Sequence, residues 1–135
     1  MMGVSGLITI ESSSGPEETM GRLVAGIEAK GLTVFARIDH AAAAAAAGLA
    51  LRPTELVIFG NAKGGTPLMQ HEQTIGIDLP LKALVWQDAN GRTWLSYNGP
   101  AWIVERHGID PSILPNLKVM SGMLAALAKD ATAAA

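Results

Sequence analysis

The sequence predicts an α+β fold, a mainly antiparallel sheet with helices packed on one face, on a β-α-β(4)-α core with short inserted helices. Short apolar, β-branched runs alternate with segments of helical periodicity, and an Asn-Gly turn joins two of these runs. No linker rich in Pro, Gly or Ser divides the 135 residues. We therefore expect one domain over residues 1–135, ordered from about 5 to about 130.

The beginning of the chain predicts a strand followed by a helix. Residues 6–10 are apolar and β-branched, as is typical of a strand. Ser14 and Glu17 then match the capping box that begins many helices. Apolar side chains recur behind this box at helical spacing, at Met20, Leu23, Val24 and Ile27. Gly31 provides the left-handed residue that ends such a helix.

The next segment predicts two strands with a short helix between them. Residues 32–38 alternate in character, with apolar Leu32, Val34, Ala36 and Ile38 expected on one face. Asp39 can cap a helix through the alanines at 41–47, because alanine loses no side-chain entropy in a helix. Residues 55–59 are apolar without interruption, which indicates a central strand.

A glycine-rich loop and a hairpin follow. Thr66 and Pro67 match a helix N-cap followed by proline at the first helical position, which predicts a short helix over 68–73. Strands are predicted over 81–87 and 93–97, joined by the turn that contains Asn90 and Gly91. The register of this hairpin is left open, so either Trp86 or Trp94 could point inward.

The end of the chain predicts two helices. A short helix that contains Trp102 ends at Gly108, and Asp110 with Pro111 begins the last helix. Its buried stripe is expected at Leu117, Met120, Leu124 and Leu127. From Ala131 onward the chain is expected to fray.

Composition limits the classes of function. Apolar residues make up 49% of the chain and charged residues 16%, which excludes a disordered protein. The net charge of -2 disfavours nucleic acid as a partner, and the absence of cysteine removes disulfides, thiolate metal sites and iron–sulfur clusters. No signal peptide or membrane span is apparent, so we expect a cytoplasmic protein. The low charge leaves spare apolar surface, for which we expect a homodimer.

Several blocks of the sequence resemble the bacterial and archaeal domain-of-unknown-function family 302. These blocks are residues 35–40 (FARIDH), 52–61 (RPTELVIFGN), 65–69 (GTPLM), 75–82 (IGIDLPLK) and 94–98 (WLSYN). The resemblance extends over about residues 6–127, and it implies a single-copy TATA-binding-protein-like fold that often forms dimers. It implies no activity. The chain departs from the family pattern at Ala62, where proline is common, and in its alanine run.

The most site-like stretch is the loop of residues 60–66. A glycine-rich loop that leads into a helix N-terminus presents backbone N–H groups to an anion. Asn61, Lys63, Gly64, Gly65 and Thr66 are the candidate ligand-binding residues there. The lysine precedes the glycine pair, so the phosphate-loop pattern of nucleotide hydrolases does not fit. A tight turn in which Thr66 only caps its helix is the alternative interpretation.

Two further candidates lie at the end of the second strand. Arg37 could hold a carboxylate or phosphate, and His40 could act as an acid or base. The structural alternative, which we favour, pairs Arg37 with a neighbouring acid such as Glu55 and makes Asp39 a helix cap. Nucleic-acid stacking by the hairpin aromatics is disfavoured because few basic residues surround them.

We expect no metal and no cofactor, because no two of His40, His71 and His107 have helical metal-ligand spacing. The leading hypothesis is a protein that binds a small, partly apolar anionic ligand. The loop of residues 60–66 would hold the charged end and the hairpin aromatics the apolar end. Two alternatives stay open: an acid–base enzyme that uses His40 or Lys63, and a structural or partner-binding module without a ligand site.

Overall fold

The computed structural model describes residues 3–134, which form five strands, five α-helices and two 3-10 segments. The elements in chain order are β1 (Leu7–Ser12), α1 (Pro16–Ala29), β2 (Thr33–Asp39), α2 (His40–Ala46), β3 (Thr54–Gly60), α3 (Ala62–His71), β4 (Leu81–Gln87), β5 (Thr93–Asn98), α4 (Pro100–Arg106) and α5 (Leu117–Thr132). A 3-10 helix over Gln73–Asp78 joins α3 to β4, and a 3-10 turn over Pro111–Ile113 precedes α5. The predicted α+β class and element order are confirmed.

The sheet has the strand order β1-β5-β4-β3-β2, and every neighbouring pair is antiparallel. The hairpin register places Trp86 directly opposite Trp94, and their rings stack with centroids 6.1 Å apart. Their chain neighbours Val85 and Leu95 are each 1% exposed. Because side chains alternate along a strand, both tryptophans lie on the face away from that core.

The main core lies between the sheet and the helices α1 and α5, which pack side by side on one face. Its helical members are Met20, Leu23 and Ile27 from α1 and Leu124, Leu127, Ala128 and Ala131 from α5. Its strand members are Val57, Phe59, Leu81, Ala83, Val85, Leu95 and Tyr97. The apolar periodicity predicted for α1 is therefore the periodicity of its buried stripe.

A second, smaller core forms around α3, α4 and the two 3-10 segments. Its buried members are Leu68, Ile75, Ile103, Val104, Ile109 and Leu114. Leu79 and Met120 are partly buried and pack against both cores. These two residues therefore lie at the boundary between the main core and the smaller core.

The predicted starts of α1 and α5 were wrong, while Gly31, at a φ of +76°, follows the end of α1 as predicted. Gly15 is the N-cap of α1 and no side chain caps it; the Ser14 N–H donates to Ser12 Oγ at 3.2 Å. Helix α5 begins at Leu117, because Pro115 disfavours helical backbone at Leu114.

The end of α5 does not fray. Ala131 is 1% exposed, and the Thr132 carbonyl accepts the Ser13 N–H at 2.9 Å. Burial and this bond to the chain after β1 hold the last turn in place.

Strand β2 also differs from its prediction. Val34 pairs with Phe59 and Ala36 with Ile58, so Phe35 is an extra residue, a β-bulge, on this edge strand. Val34 therefore faces the helices while Ala36 faces the other side of the sheet. The predicted single apolar face of residues 32–38 was wrong for this reason.

Candidate functional site

A cavity of about 590 Å³ opens beside the start of α3. Its walls come from β2, the end of β3, the first turns of α3, the connection from the 3-10 helix to β4, and α5. The five loop residues predicted as a ligand site, Asn61, Lys63, Gly64, Gly65 and Thr66, all line it. The structure thus places these five residues around one hollow.

Helix α3 begins earlier than the sequence predicted. Its N-cap is Asn61, whose Oδ1 accepts the Gly64 N–H at 2.7 Å, while the Asn61 carbonyl accepts the Gly65 N–H at 3.2 Å. Pro67 lies inside the helix, so the prediction of Thr66 as N-cap was wrong. Asn61 is as good a capping residue as Thr66. With Asn61 as the cap, residues 62–65 form an additional first turn of α3.

This shift changes which backbone N–H groups are free. Those of Gly64 and Gly65 are already engaged, contrary to the expectation for the loop. Within residues 3–134, the N–H groups of Ala62 and Lys63 have no hydrogen-bond acceptor, as is usual in the first turn of a helix. Both residues line the cavity. The positive end of α3 is therefore available at residues 62 and 63.

Apolar side chains form most of the remaining wall. They include Leu32, Phe35, Met69, Leu79, Val119, Met120 and Met123. Methionine has a flexible, polarisable side chain that can adapt to ligands of different shape. The hairpin aromatics Trp86 and Trp94, by contrast, do not line the cavity. The expectation that they hold the apolar end of a ligand was wrong.

Glycines keep the cavity open on the α3 side. Gly64 and Gly65 have no positive φ, so their backbone does not require glycine. A Cβ at Gly65 would lie 3.6 Å from Leu79 Cδ1 and 3.8 Å from Met69 Cε, which are ordinary contacts. A larger side chain at this position would extend between these residues. Glycine in a helix costs about 1 kcal/mol relative to alanine, and here it leaves space.

Lys63 is the only titratable side chain among the described residues that line the cavity. The polar lining otherwise consists of neutral groups such as Asn61, Thr66 and Asn116. A single cation and two free N–H groups favour a ligand with one anionic end.

Arg37 and His40 do not line the cavity. Arg37 makes two hydrogen bonds of 3.1 Å to the carboxylate of Glu55, and these bonds raise the pKa of Arg37. His40 is the first residue of α2, capped by Asp39, whose Oδ1 accepts the Ala42 N–H at 2.9 Å. The structural interpretation preferred from the sequence therefore describes this region, with Arg37 paired to Glu55 and Asp39 capping α2.

The sequence analysis missed a polar cluster that fixes one wall of the cavity. His107, after α4, hydrogen-bonds through Nε2 to Asp78 and through Nδ1 to Thr74 Oγ1 at 2.9 Å. Arg106 donates to both oxygens of Asp78, at 2.8 and 2.7 Å. Burial raises the pKa of Asp78, but the bonds from His107 and Arg106 outweigh it, so the net shift is downward. No spacing signal could reveal contacts between segments about 30 residues apart.

This cluster has a structural role. It ties the 3-10 helix to α4, and the 3-10 helix contributes Gly76 to the cavity wall. Within residues 3–134, no group of three or more His, Cys, Asp or Glu side chains is arranged to hold a metal ion.

The fold and the cavity define a class: an α+β domain with five antiparallel strands and a mostly apolar hollow at the N-terminus of one helix. The chain belongs to the family described as Domain of unknown function DUF302, whose model matches residues 8–127. A crystal structure of an uncharacterized conserved DUF302 protein from Bacillus stearothermophilus is similar to it, with a TM-score of 0.82 and 23% identity. The similarity covers 96% of this chain and 100% of that chain and concerns the fold alone.

Longer curated relatives share this domain. The chain is 49% identical over 116 residues to fluoride-specific ion channel FluC 1 of Brucella suis biovar 1, and to the protein of the same name of Brucella abortus biovar 1. The match covers 86% of this chain but 46% and 43% of those proteins, so the chain spans less than half their length. In the described part of the chain, no helix combines the length and apolar character needed to cross a membrane.

Proposed function

We propose that this protein binds a small amphiphile, with its apolar body in the cavity and its anionic end at the N-terminus of α3. The observation that carries the proposal is the cavity itself. Its volume of about 590 Å³ lies within the range of roughly 300–1,000 Å³ that is common for small-molecule sites. Its mostly apolar wall with few polar groups is also typical of such sites.

The polarity of the lining supports the orientation of the ligand. Ala62 and Lys63, whose N–H groups are free, are adjacent lining residues, and Lys63 is the titratable residue of the lining. Met120 and Met123 belong to α5 and offer apolar contact. A medium-chain carboxylate matches this arrangement, because it has one charge and a flexible apolar chain.

Acid–base catalysis receives less support. His40 lies outside the cavity, and Lys63 has no titratable partner among the described lining residues. General acid–base catalysis usually needs a second polar group to orient or complement the proton-transferring one. A module without any ligand site would not require the helical glycines Gly64 and Gly65 at the cavity wall.

The name of the curated relatives suggests a second role, as an accessory domain of a membrane channel. A membrane-spanning helix needs about 20 mostly apolar residues, and the longest described helix here, α5, has 16. We therefore assign the channel activity of those proteins to the part that this chain does not match. The shared domain would act beside the channel.

Titration with decanoate tests the ligand proposal. We expect saturable binding to the wild-type protein by isothermal titration calorimetry, and loss of binding in Gly65→Leu, because the new side chain occupies the cavity. Gly122→Leu is the matched control, since Gly122 is also helical and has nothing within 4 Å of its Cβ position. Both substitutions raise helix propensity by about 1 kcal/mol, so thermal stability should not separate them. Equal decanoate binding by wild type and Gly65→Leu would contradict the proposal.

A second comparison tests the charged end. Lys63→Gln should weaken decanoate binding about tenfold, because a charge-assisted hydrogen bond is lost. Binding of methyl decanoate, which lacks the charge, should change little in the same variant. Lys118→Gln, at an exposed lysine of α5 that does not line the cavity, is the control. A uniform loss for both ligands would mean that Lys63 acts on the cavity shape instead.

A further inference from the structure

The mouth of the cavity carries exposed apolar side chains and one lysine. From this arrangement we infer that the mouth docks onto an anionic lipid surface, from which the protein takes up its amphiphile. The inference rests on the ligand site proposed above and names the source of its ligand. Contact of this kind is peripheral and requires no membrane-spanning segment.

The apolar part of the mouth comes from two separate elements. Phe35, at the bulge of β2, is 56% exposed, and Val119, on α5, is 70% exposed. Both also line the cavity, so they lie where its interior meets solvent. Ile77, adjacent to the lining residue Gly76, is 74% exposed. Large apolar side chains gathered around an opening indicate a surface that meets an apolar partner.

The charge at the mouth favours lipid as that partner. Lys63 is the only titratable residue among the described residues that line the cavity. Over residues 3–134, this lysine has no carboxylate within salt-bridge distance. The carboxylate of Asp78, two residues from the lining residue Pro80, is already bonded to Arg106 and His107. The mouth is thus apolar and cationic on a chain whose net charge is -2.

A second copy of the chain fits this mouth less well. A two-fold contact through it would bring Lys63 of both copies together, and such like charges repel. Anionic headgroups complement the same lysine, and the acyl boundary beneath them can receive Phe35 and Val119. The amphiphile could then enter the cavity without crossing water.

Vesicle sedimentation tests the inference. We expect the wild-type protein to bind vesicles of phosphatidylcholine with phosphatidylglycerol more strongly than vesicles of phosphatidylcholine alone. Phe35→Ser should weaken binding to the mixed vesicles about tenfold, and Val119→Ser several-fold, because each removes apolar area from the contact. Leu49→Ser is the control, since Leu49 is 67% exposed but does not line the cavity. Equal loss in Leu49→Ser would overturn the inference.

The charge of Lys63 has its own comparison. Lys63→Gln should reduce the preference for the anionic vesicles, whereas Lys118→Gln should keep that preference. Absence of wild-type binding to the mixed vesicles would overturn the inference. So would a wild-type dimer in sedimentation velocity that Phe35→Ser dissociates, because the mouth would then be a contact between copies.

Failure of the ligand site and failure of the docking surface give different results. Gly65→Leu fills the cavity but leaves the mouth, so we expect it to lose decanoate and to keep binding vesicles. Vesicle binding without any wild-type decanoate binding would overturn the proposed ligand and leave the docking surface. Decanoate binding without vesicle binding would overturn the docking surface and leave the proposed ligand site.

Discussion

Single residues fix parts of this fold that the hydrophobic pattern alone does not specify. Gly6 is the sharpest case: its φ is +74°, and a Cβ there would lie 2.1 Å from Trp102 Cγ. The residue therefore meets two requirements, a left-handed backbone and close approach of an indole ring. The sequence showed only a glycine before a strand, because the partner lies on α4 almost 100 residues later.

Replacement of Gly6 separates these two requirements. Gly6→Ala should lower the free energy of unfolding by more than about 2 kcal/mol, since Trp102 must move as well as the backbone. Gly31→Ala and Gly91→Ala, at φ values of +76° and +80° with nothing within 4 Å, should each cost about 1 kcal/mol. Urea denaturation measures all three, and equal losses would show that the contact with Trp102 contributes nothing.

Of the polar side-chain contacts in the structure, some follow from the sequence and others do not. The pairing of Arg37 with Glu55 follows from their places on neighbouring strands, and the structure confirms it. The bonds of His107 to Asp78 and Thr74 were beyond sequence reasoning, because they join segments that only tertiary packing brings together. Contacts of this kind depend on where α4 lies against the 3-10 helix, and periodicity does not contain that information.

At the scale of elements, α3 shows how tertiary packing overrides a local signal. Thr66 and Pro67 form a strong start signal, yet the helix begins a full turn earlier, at Ala62. Pro67 gives no N–H to the carbonyl of Lys63, which weakens the helix locally. Burial of Leu68 in the second core and the cap by Asn61 oppose that loss. The loop predicted from the sequence lines the cavity, but its free N–H groups are those of Ala62 and Lys63 rather than those of the glycines.

The bulge in β2 has a similar origin. Alternating apolar residues specify a strand but fix its register only when the two faces of the sheet differ. Here β3 is apolar on both sides, with Val57 and Phe59 towards the helices and Leu56 and Ile58 on the other face. Ala36 would contact an apolar side chain of β3 on either face of the sheet. The apolar alternation of residues 32–38 therefore could not reveal that Phe35 is an extra residue.

The connection between the 3-10 helix and α4 should make stability depend on pH. The pKa of Asp78 is lowered in the folded protein, so its contribution to stability is present above the unfolded pKa, near 4, and lost as pH falls further. Asp78→Asn should therefore cost about 2 kcal/mol at pH 7, and the difference from wild type should shrink below about pH 4. Chemical denaturation across this pH range measures both effects.

A matched control exists for this pH dependence. Asp130 is exposed in the last turn of α5, so Asp130→Asn should change stability by less than about 0.5 kcal/mol at any pH. A difference between wild type and Asp78→Asn that is constant from pH 3 to pH 7 would show that the charge of Asp78 is not what stabilises the connection.

At the scale of the whole molecule, two cores share one chain. The sheet with α1 and α5 forms the larger core, α3, α4 and the 3-10 segments form the smaller one, and Leu79 and Met120 contact both. The cavity lies along this boundary, lined by the same two residues. The hydrophobic pattern of a sequence predicts which residues are buried. It does not predict where a space remains between two buried clusters. The cavity therefore became apparent only in the structure.

The homodimer expected from the low charge stays a prediction. The face of the sheet opposite α1 and α5 carries half-buried apolar side chains, among them Leu56, Leu84 and Trp86. If the chain dimerises, this face offers apolar surface away from the cavity mouth. Sedimentation velocity of the wild-type protein would decide the oligomeric state independently of any ligand.

Amide chemical shifts in a decanoate titration test the central claim most directly, because they report on each backbone N–H separately. The account predicts that the largest shifts in the ¹H–¹⁵N spectrum occur at Ala62 and Lys63, with smaller ones at cavity residues such as Gly65 and Met120. Trp86 and Trp94, on the other face of the sheet, should not respond. Shifts centred on those tryptophans, or none at residues 62 and 63 at saturating decanoate, would contradict it.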